Sequence, residues 1–338
     1  MKRALPSCLL AVLALTAITA QSAARRPESV QVAGKEYVRL ADWAKANGFE
    51  VRWLKAQETL QLSNHAAKLV VGVDSREAEV NGVAVWLSFP VVVRNGAVCL
   101  ARLDLQTTLQ PVLWPPKNRS GARIKSICLD PGHGGKDPGN RVGANQEKKY
   151  TLLLAQEVRD QLTRAGLKVT LTRTTDTFVE LPTRPDLARR RKADLFVSLH
   201  FNSTESSRNS VQGAEVYCLT PAGASSTNAR GEGGGAGWFP GNRYNDKNMF
   251  LAYQVQKALT KSLAVEDRGV RRARWAVLRD AVMPALLIEA GFMSHPVEGR
   301  KIFDASYRRQ MAKAIVDGVL AYKRVVEQAA DAVKAPSR

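Results

Sequence analysis

The chain has 338 residues, 45% hydrophobic and 24% charged, a composition that excludes wholesale disorder and allows one large domain or two ordinary ones. Its formal net charge is +19, and residues 116–338 carry 37 basic and 22 acidic side chains, so the excess sits in the second half. A basic surface of that kind suits anionic envelope polymers if the protein is exported, or is simply a solvated face. No aromatic–basic interleaving of the single-strand kind appears, and nucleic acid is not an expected partner.

Residues 1–24 read as a secretory signal peptide. Met1-Lys2-Arg3 is a basic start, Leu9–Ile18 an apolar run broken only by Thr16, and small residues follow to Ala24, with the cut within Ala20–Ala24. The run is short for a membrane span and no other segment is long enough, so no stable span is expected after cleavage. Export places the mature protein in the periplasm or the extracellular envelope. Cys99, Cys128 and Cys218 then remain, too few for a disulfide framework, with one pair left open.

Residues 30–113 show short alternating or apolar runs: Val30–Val32, Thr59–Leu62, Lys68–Val73, Ala84–Phe89 and Gly96–Leu100. Asn81-Gly82 marks a tight turn, and Leu40–Asn47 a short helix stopped by Gly48. This predicts a small β-rich accessory domain. Its one histidine, His65, stands alone. Through Val80-Asn81-Gly82, Val91–Gly96 and Leu100 the stretch loosely resembles the N-terminal domain type named after copper amine oxidases, which implies a β-rich module and no copper site here. The proline-rich polar stretch 114–123 predicts a linker.

From 124 to 326 strand and helix patterns alternate. Strands are expected at Ile124–Leu129, Lys168–Thr172, Leu195–Leu199, Ala214–Leu219, Ala276–Leu278 and Ala285–Ile288. Helices are expected at Lys148–Arg164, around Leu187–Lys192, at Asn248–Leu263 and at Tyr307–Val326, before a C-terminal tail at 327–338. The alternation predicts an α/β domain on a mainly parallel sheet flanked by helices, with its site beyond the carboxyl ends of the strands. Gly223–Asn245, rich in Gly, Ser and Asn, reads as a mobile loop, either a gate or a plain insertion.

Two histidines stand at strand ends. His133 follows the first strand between glycines in Asp130-Pro131-Gly132-His133-Gly134-Gly135, and His200 follows Leu195–Leu199. Glu147 precedes a helix, a position that suits a carboxylate with or without a further role. Glu289 ends the apolar run Ala285–Ile288, where an unpaired buried charge would be costly. Two imidazoles and a carboxylate can hold Zn2+ with one position open for water, and a second carboxylate can carry the proton. No local motif pairs a Ser or Cys with either histidine.

Leu129–Gly139 (LDPGHGGKDPG), Glu147-Lys148, Leu171-Thr172-Arg173, Ala193–His200 (ADLFVSLH), Arg268-Gly269-Val270, Val277-Leu278-Arg279 and Pro284–Phe292 (PALLIEAGF) together resemble the N-acetylmuramoyl-L-alanine amidase family, the type-3 zinc amidases of bacterial cell-wall turnover. The resemblance covers about Lys125 to Tyr322. It implies zinc on His133, Glu147 and His200, a catalytic Glu289, and cleavage of the amide joining the muramic lactyl group to L-alanine in peptidoglycan. The alternative is a catalytically silent cell-wall-binding protein on the same fold.

Two departures stand out. Phe201 replaces a small residue and is expected to narrow or stack against the substrate groove, and Ser294-His295 stands where an Asn is common, with His295 read as a surface or capping residue. Asp137 and Asn202 are candidates to orient the ligands or to shape their loops. Arg173 and Arg279 are candidates for stem-peptide carboxylates or for surface ion pairs. The run Arg189–Lys192 reads as a solvated helix face.

Overall fold

The computed structural model describes residues 29–119, 121–227 and 237–328. The expected signal peptide and nearly all of the expected C-terminal tail lie outside the described residues.

The β-rich segment carries nine short strands: β1 (Ser29–Val32), β2 (Lys35–Arg39), β3 (Glu50–Lys55), β4 (Thr59–Ser63), β5 (Lys68–Gly72), β6 (Glu77–Val80), β7 (Val83–Trp86), β8 (Val92–Arg94) and β9 (Ala97–Ala101). Its helix α1 (Leu40–Ala46) buries Leu40, Trp43 and Ala44, and Gly48 follows it at φ +71°. Four strands missing from the sequence reading are charged (β2, β3, β6) or only three residues long (β8). Asn81-Gly82 makes the β6–β7 turn with both residues at positive φ, as a two-residue hairpin with this pair favours. A helical run follows: α2 (Arg102–Asp104), a π-helical turn (Leu105–Leu109) and α3 (Gln110–Leu113). Asp104, fully buried, accepts from the amides of Ser88 (2.7 Å) and Phe89 (2.9 Å) and ties that run to the sheet.

The second segment supplies β10 (Ser126–Pro131), a hairpin of β11 (Arg141–Val142) and β12 (Asn145–Gln146), α4 (Glu147–Arg164), β13 (Lys168–Leu171), α5 (Thr183–Arg190) and β14 (Leu195–Asn202). It continues with β15 (Ala214–Leu219), a 3-10 turn (Pro240–Tyr244) inside the expected loop, α6 (Asn245–Leu263), β16 (Asp267–Ala273), α7 (Ala276–Arg279), β17 (Ala285–Phe292), α8 (Pro296–Phe303) and α9 (Ala305–Val326). Ala276–Leu278 is therefore helical and not a strand. The amides of Leu278 and Arg279 both bond to the Trp275 carbonyl, and a three-residue apolar run carries no period to tell the two states apart.

Among the described residues the segments share one sheet of eleven strands, ordered β13-β10-β14-β17-β15-β16-β7-β6-β5-β4-β3. Pairing is parallel from β13 through β17, antiparallel between β17 and β15, and parallel from β15 to β7. Beyond β7 every pairing is antiparallel. A second sheet, β1-β2-β9-β8, completes the β-rich segment.

Helices α4, α6 and α9 pack over the α/β part. Helix α9 starts at Asp304, whose side chain accepts from the Tyr307 amide at 2.8 Å, and buries Met311, Ile315, Val319 and Tyr322 along one stripe. It meets α6 closely at Gly318, where a Cβ would sit 2.6 Å from Val255 Cα. No helix among the described residues is long and apolar enough to cross a membrane. Cys99, Cys128 and Cys218 are buried free thiols in this structure.

Candidate metal centre

His133, Glu147 and His200 converge at the carboxyl ends of β10 and β14. Each offers one donor atom, and those atoms lie within 4.8 Å of one another. The His133 and His200 rings stand edge to face with centroids 4.8 Å apart. Glu147, the first residue of α4, is buried between them: Oε2 lies 3.0 Å from His133 Nε2 and Oε1 lies 3.0 Å from His200 Nδ1. Its oxygens also accept from the amides of Asn140 (2.9 Å) and Phe201 (3.1 Å). Burial pushes the Glu147 carboxyl up, but the hydrogen bonds and charges of His133 and His200 outweigh it and hold the pKa well below the ordinary range.

The backbone is shaped for this convergence. His133 sits at φ +62°, a conformation that costs a non-glycine residue energy and persists only when its surroundings hold it. Arg184 donates to the His133 carbonyl (2.9 Å) and the Pro131 carbonyl (3.0 Å), and Arg173 to those of Pro131 (3.0 Å) and Gly132 (2.8 Å). Arg184 is neutralised by buried Asp130 at 2.9 Å. Gly132 is obligatory, because a Cβ there would lie 2.2 Å from His200 Cε1. A Cβ at Gly139 would lie 2.6 Å from both Glu147 Oε2 and His133 Cδ2.

Glu289 stands on β17 directly opposite His200 on β14 and Glu215 on β15. Its Oε2 is buried with no hydrogen-bond partner among the described residues. Burial, then the charges of Glu147 and Glu215, raise its pKa well above the ordinary carboxylate range. Glu215 is itself neutralised by Arg271 (3.0 Å) and Arg268 (3.2 Å). A cavity of about 370 Å³ opens over these groups, rimmed by Leu181, Trp275 and Val277.

The other candidates divide. Asp137 accepts from His133 Nδ1 at 2.8 Å, the orienting contact expected of it. Asn202 instead donates to Glu215 at 2.9 Å. Phe201 does not line the groove: it is fully buried in the core, because strand alternation turns it away from the face of its neighbour His200. Arg173 is neither a surface ion pair nor a substrate contact, since it is buried with its donors on backbone carbonyls. Arg279 lies over the Phe239 ring. His295 caps α8, accepting from the Glu298 amide. Arg189 and Arg190 pair with Asp186 on the exposed face of α5. The sequence reading missed Arg184, Asp130 and Glu215; an arginine in a charged helix carries no sign that it collects buried carbonyls.

The chain belongs to the N-acetylmuramoyl-L-alanine amidase family, whose model matches residues 127–321. The model of the copper amine oxidase N-terminal domain matches residues 22–111. The chain is 35% identical over 244 residues to the N-acetylmuramoyl-L-alanine amidase AmiC of Neisseria meningitidis serogroup B, covering 66% of this chain and 57% of that one. It is 33% identical over 219 residues to the probable cell wall amidase LytH of Staphylococcus aureus, covering 64% of each. The chain thus spans less than two thirds of the length of these curated relatives. Among solved structures, amidases from Clostridium difficile 630 and Nostoc punctiforme each superpose with a TM-score of 0.50 at 32% identity. Both cover 60% of this chain, and 97% and 99% of their own.

Proposed function

We propose that this chain is a zinc-dependent N-acetylmuramoyl-L-alanine amidase, hydrolysing the amide between the muramic lactyl group and L-alanine of peptidoglycan. The observation that carries the reading is the convergence of His133, Glu147 and His200 beside a buried carboxylate oxygen of Glu289 that lacks a partner among the described residues. A neutral–anionic donor set of two imidazoles and one carboxylate fits Zn2+. When bound there, zinc supplies an acidified water and a Lewis acid for the scissile carbonyl.

The protein's own groups do the rest. His133 is fixed by Asp137, and Glu147 is kept ionised by its two histidine neighbours. Glu289 takes the proton of the attacking water and passes it to the leaving amine, which departs as the free N-terminus of the stem peptide. Its raised proton affinity suits the acid half of that cycle. The rim of Leu181 and Trp275 supplies apolar contact for substrate beside the polar centre. Export through residues 1–24 brings the enzyme to its substrate in the periplasm or extracellular envelope, and the basic second half favours anionic envelope polymers.

The test is metal analysis joined to peptidoglycan digestion. Purified protein is expected to carry about one zinc per chain, and chelation to abolish release of stem peptides. Digestion that persists in chelator would overturn the zinc mechanism. Zinc-loaded protein that binds peptidoglycan without cutting it would leave a silent binding protein.

A further inference from the structure

A second cavity of about 550 Å³ lies where the β-rich segment meets the α/β segment. Strand β7 pairs with β16 at Val85 and Val270, so one sheet crosses the junction. Contacts trace one face of it outward from the metal centre. Glu289 stands opposite Glu215, Glu215 pairs with Arg271, and the Arg271 guanidinium lies 4.3 Å from the Trp86 ring centroid. Trp86 in turn stands opposite Glu77 on β6. Residues opposite each other across paired strands share a face, so both cavities open on the same side. From β17 to β7 are three strand steps, about 14 Å. About four residues of extended chain reach β7, and a long side chain at that end bridges the last step to Glu77 and Glu79 on β6, about 19 Å from β17.

The cavity's chemistry is mixed. Val70 and Gly72 give a small apolar floor, and Glu77 and Glu79 bring two carboxylates to it. Neither carboxylate has a hydrogen-bond or ion-pair partner among the described residues. Arg271 spends only its Nε, on Glu215 and the Arg268 carbonyl, which leaves its terminal nitrogens as donors.

We propose that this cavity receives the far end of the peptide stem whose first amide lies at the metal centre, and so recognises a short peptide bearing an ammonium group and a carboxylate. The inference rests on the amidase reading for the placement of that first amide. Glu77 and Glu79 meet the ammonium, and Arg271 meets the carboxylate. A sugar ring is the poorer occupant, because Arg271 already covers a face of Trp86.

The experiment compares two soluble muramoyl peptides, one with a two-residue stem and one with a four-residue stem containing a diamino acid. The full chain and its Glu77→Gln/Glu79→Gln double variant are assayed on both. The ratio of kcat/KM, long stem over short, is expected to fall about tenfold in the variant through KM, the size of one partly exposed charge-assisted contact. An unchanged ratio overturns the proposal. Calorimetry with the free four-residue stem separates this result from the amidase reading. If the wild-type chain cleaves neither substrate, the amidase reading fails, while peptide binding that weakens about tenfold in the variant still supports the cavity. Absent binding, or binding equal in the two proteins, or equal competition by glycan stripped of its stems, overturns it.

Discussion

His200 and Glu289 are direct partners in the parallel pairing of β14 with β17, so the sheet's own register sets an imidazole beside a buried carboxylate. Among the described residues Glu289 Oε2 has no hydrogen-bond partner, a cost that a purely structural carboxylate would not persist in bearing. Replacing Glu289 with Gln is expected to lower kcat by about 10²–10⁴, the usual range for a lost general acid–base, with zinc content unchanged. Metal analysis and stem-peptide release on the same sample check it. A variant that loses zinc in proportion to activity would make Glu289 a metal-holding residue instead.

Asp137 acts one contact further out. Its carboxylate fixes the His133 ring at Nδ1 and is locked by the Gly139 amide at 3.0 Å. Removing such an orienting partner weakens metal binding by about 10–100-fold. Asp137→Ala is expected to show that loss in a competitive chelator titration, and Asp137→Asn to recover part of it, because the amide oxygen can still accept from Nδ1. Equal affinities in wild type and Asp137→Ala would mean that the loop alone orients His133.

Much of this centre was legible before the fold was. The two histidines stand at strand ends, one between glycines that the backbone conformation uses, and Glu289 closes an apolar run that gives a lone charge no ordinary partner. Glu147 was not legible from its surroundings, because a carboxylate opening a helix looks the same whether or not histidines approach it. Phe201 was misread although strand period already turns it from the face of His200. Strand β16 was invisible for a different reason. Asp267-Arg268-Gly269-Val270-Arg271-Arg272 has no apolar alternation, since its arginines are held in place by Glu215, Trp86 and backbone carbonyls of distant segments. The continuity of the two segments hangs on that strand, so the shared sheet was beyond the reach of local pattern.

The pH dependence of metal retention follows from His133. Burial pushes its imidazole down, but the hydrogen bonds and charges of Glu147 and Asp137 together raise its pKa above the ordinary 6.5. Zinc requires the neutral ring, so metal and proton compete. Apparent zinc affinity is therefore expected to fall on acidification from a pH above 6.5, by about tenfold per unit for one displaced proton. Asp137→Asn removes one of the charges that favour the proton and should move the onset to lower pH. Zinc titrations at stepped pH decide this, and an onset that shifts upward in Asp137→Asn would contradict the assignment.

Arg184 links the stability of the fold to the site. Its side chain is 2% exposed, paired with Asp130, and it holds the carbonyls of Pro131, His133 and Val179. Asp130 also accepts from Thr172 (2.6 Å) and Ser198 (2.8 Å), so it stays buried when Arg184 is removed. Stranding a buried charge costs about 3–5 kcal/mol, far more than the loss of an exposed ion pair such as Arg189–Asp186. Arg184→Ala is expected to show that loss in denaturant unfolding of the metal-free protein. It should also weaken zinc binding, because the strained His133 backbone loses its anchor. Arg184→Lys keeps the charge without the planar fork and should fall between the two. A stability change below about 1 kcal/mol in Arg184→Ala would mean that Thr172 and Ser198 suffice to hold Asp130 in place.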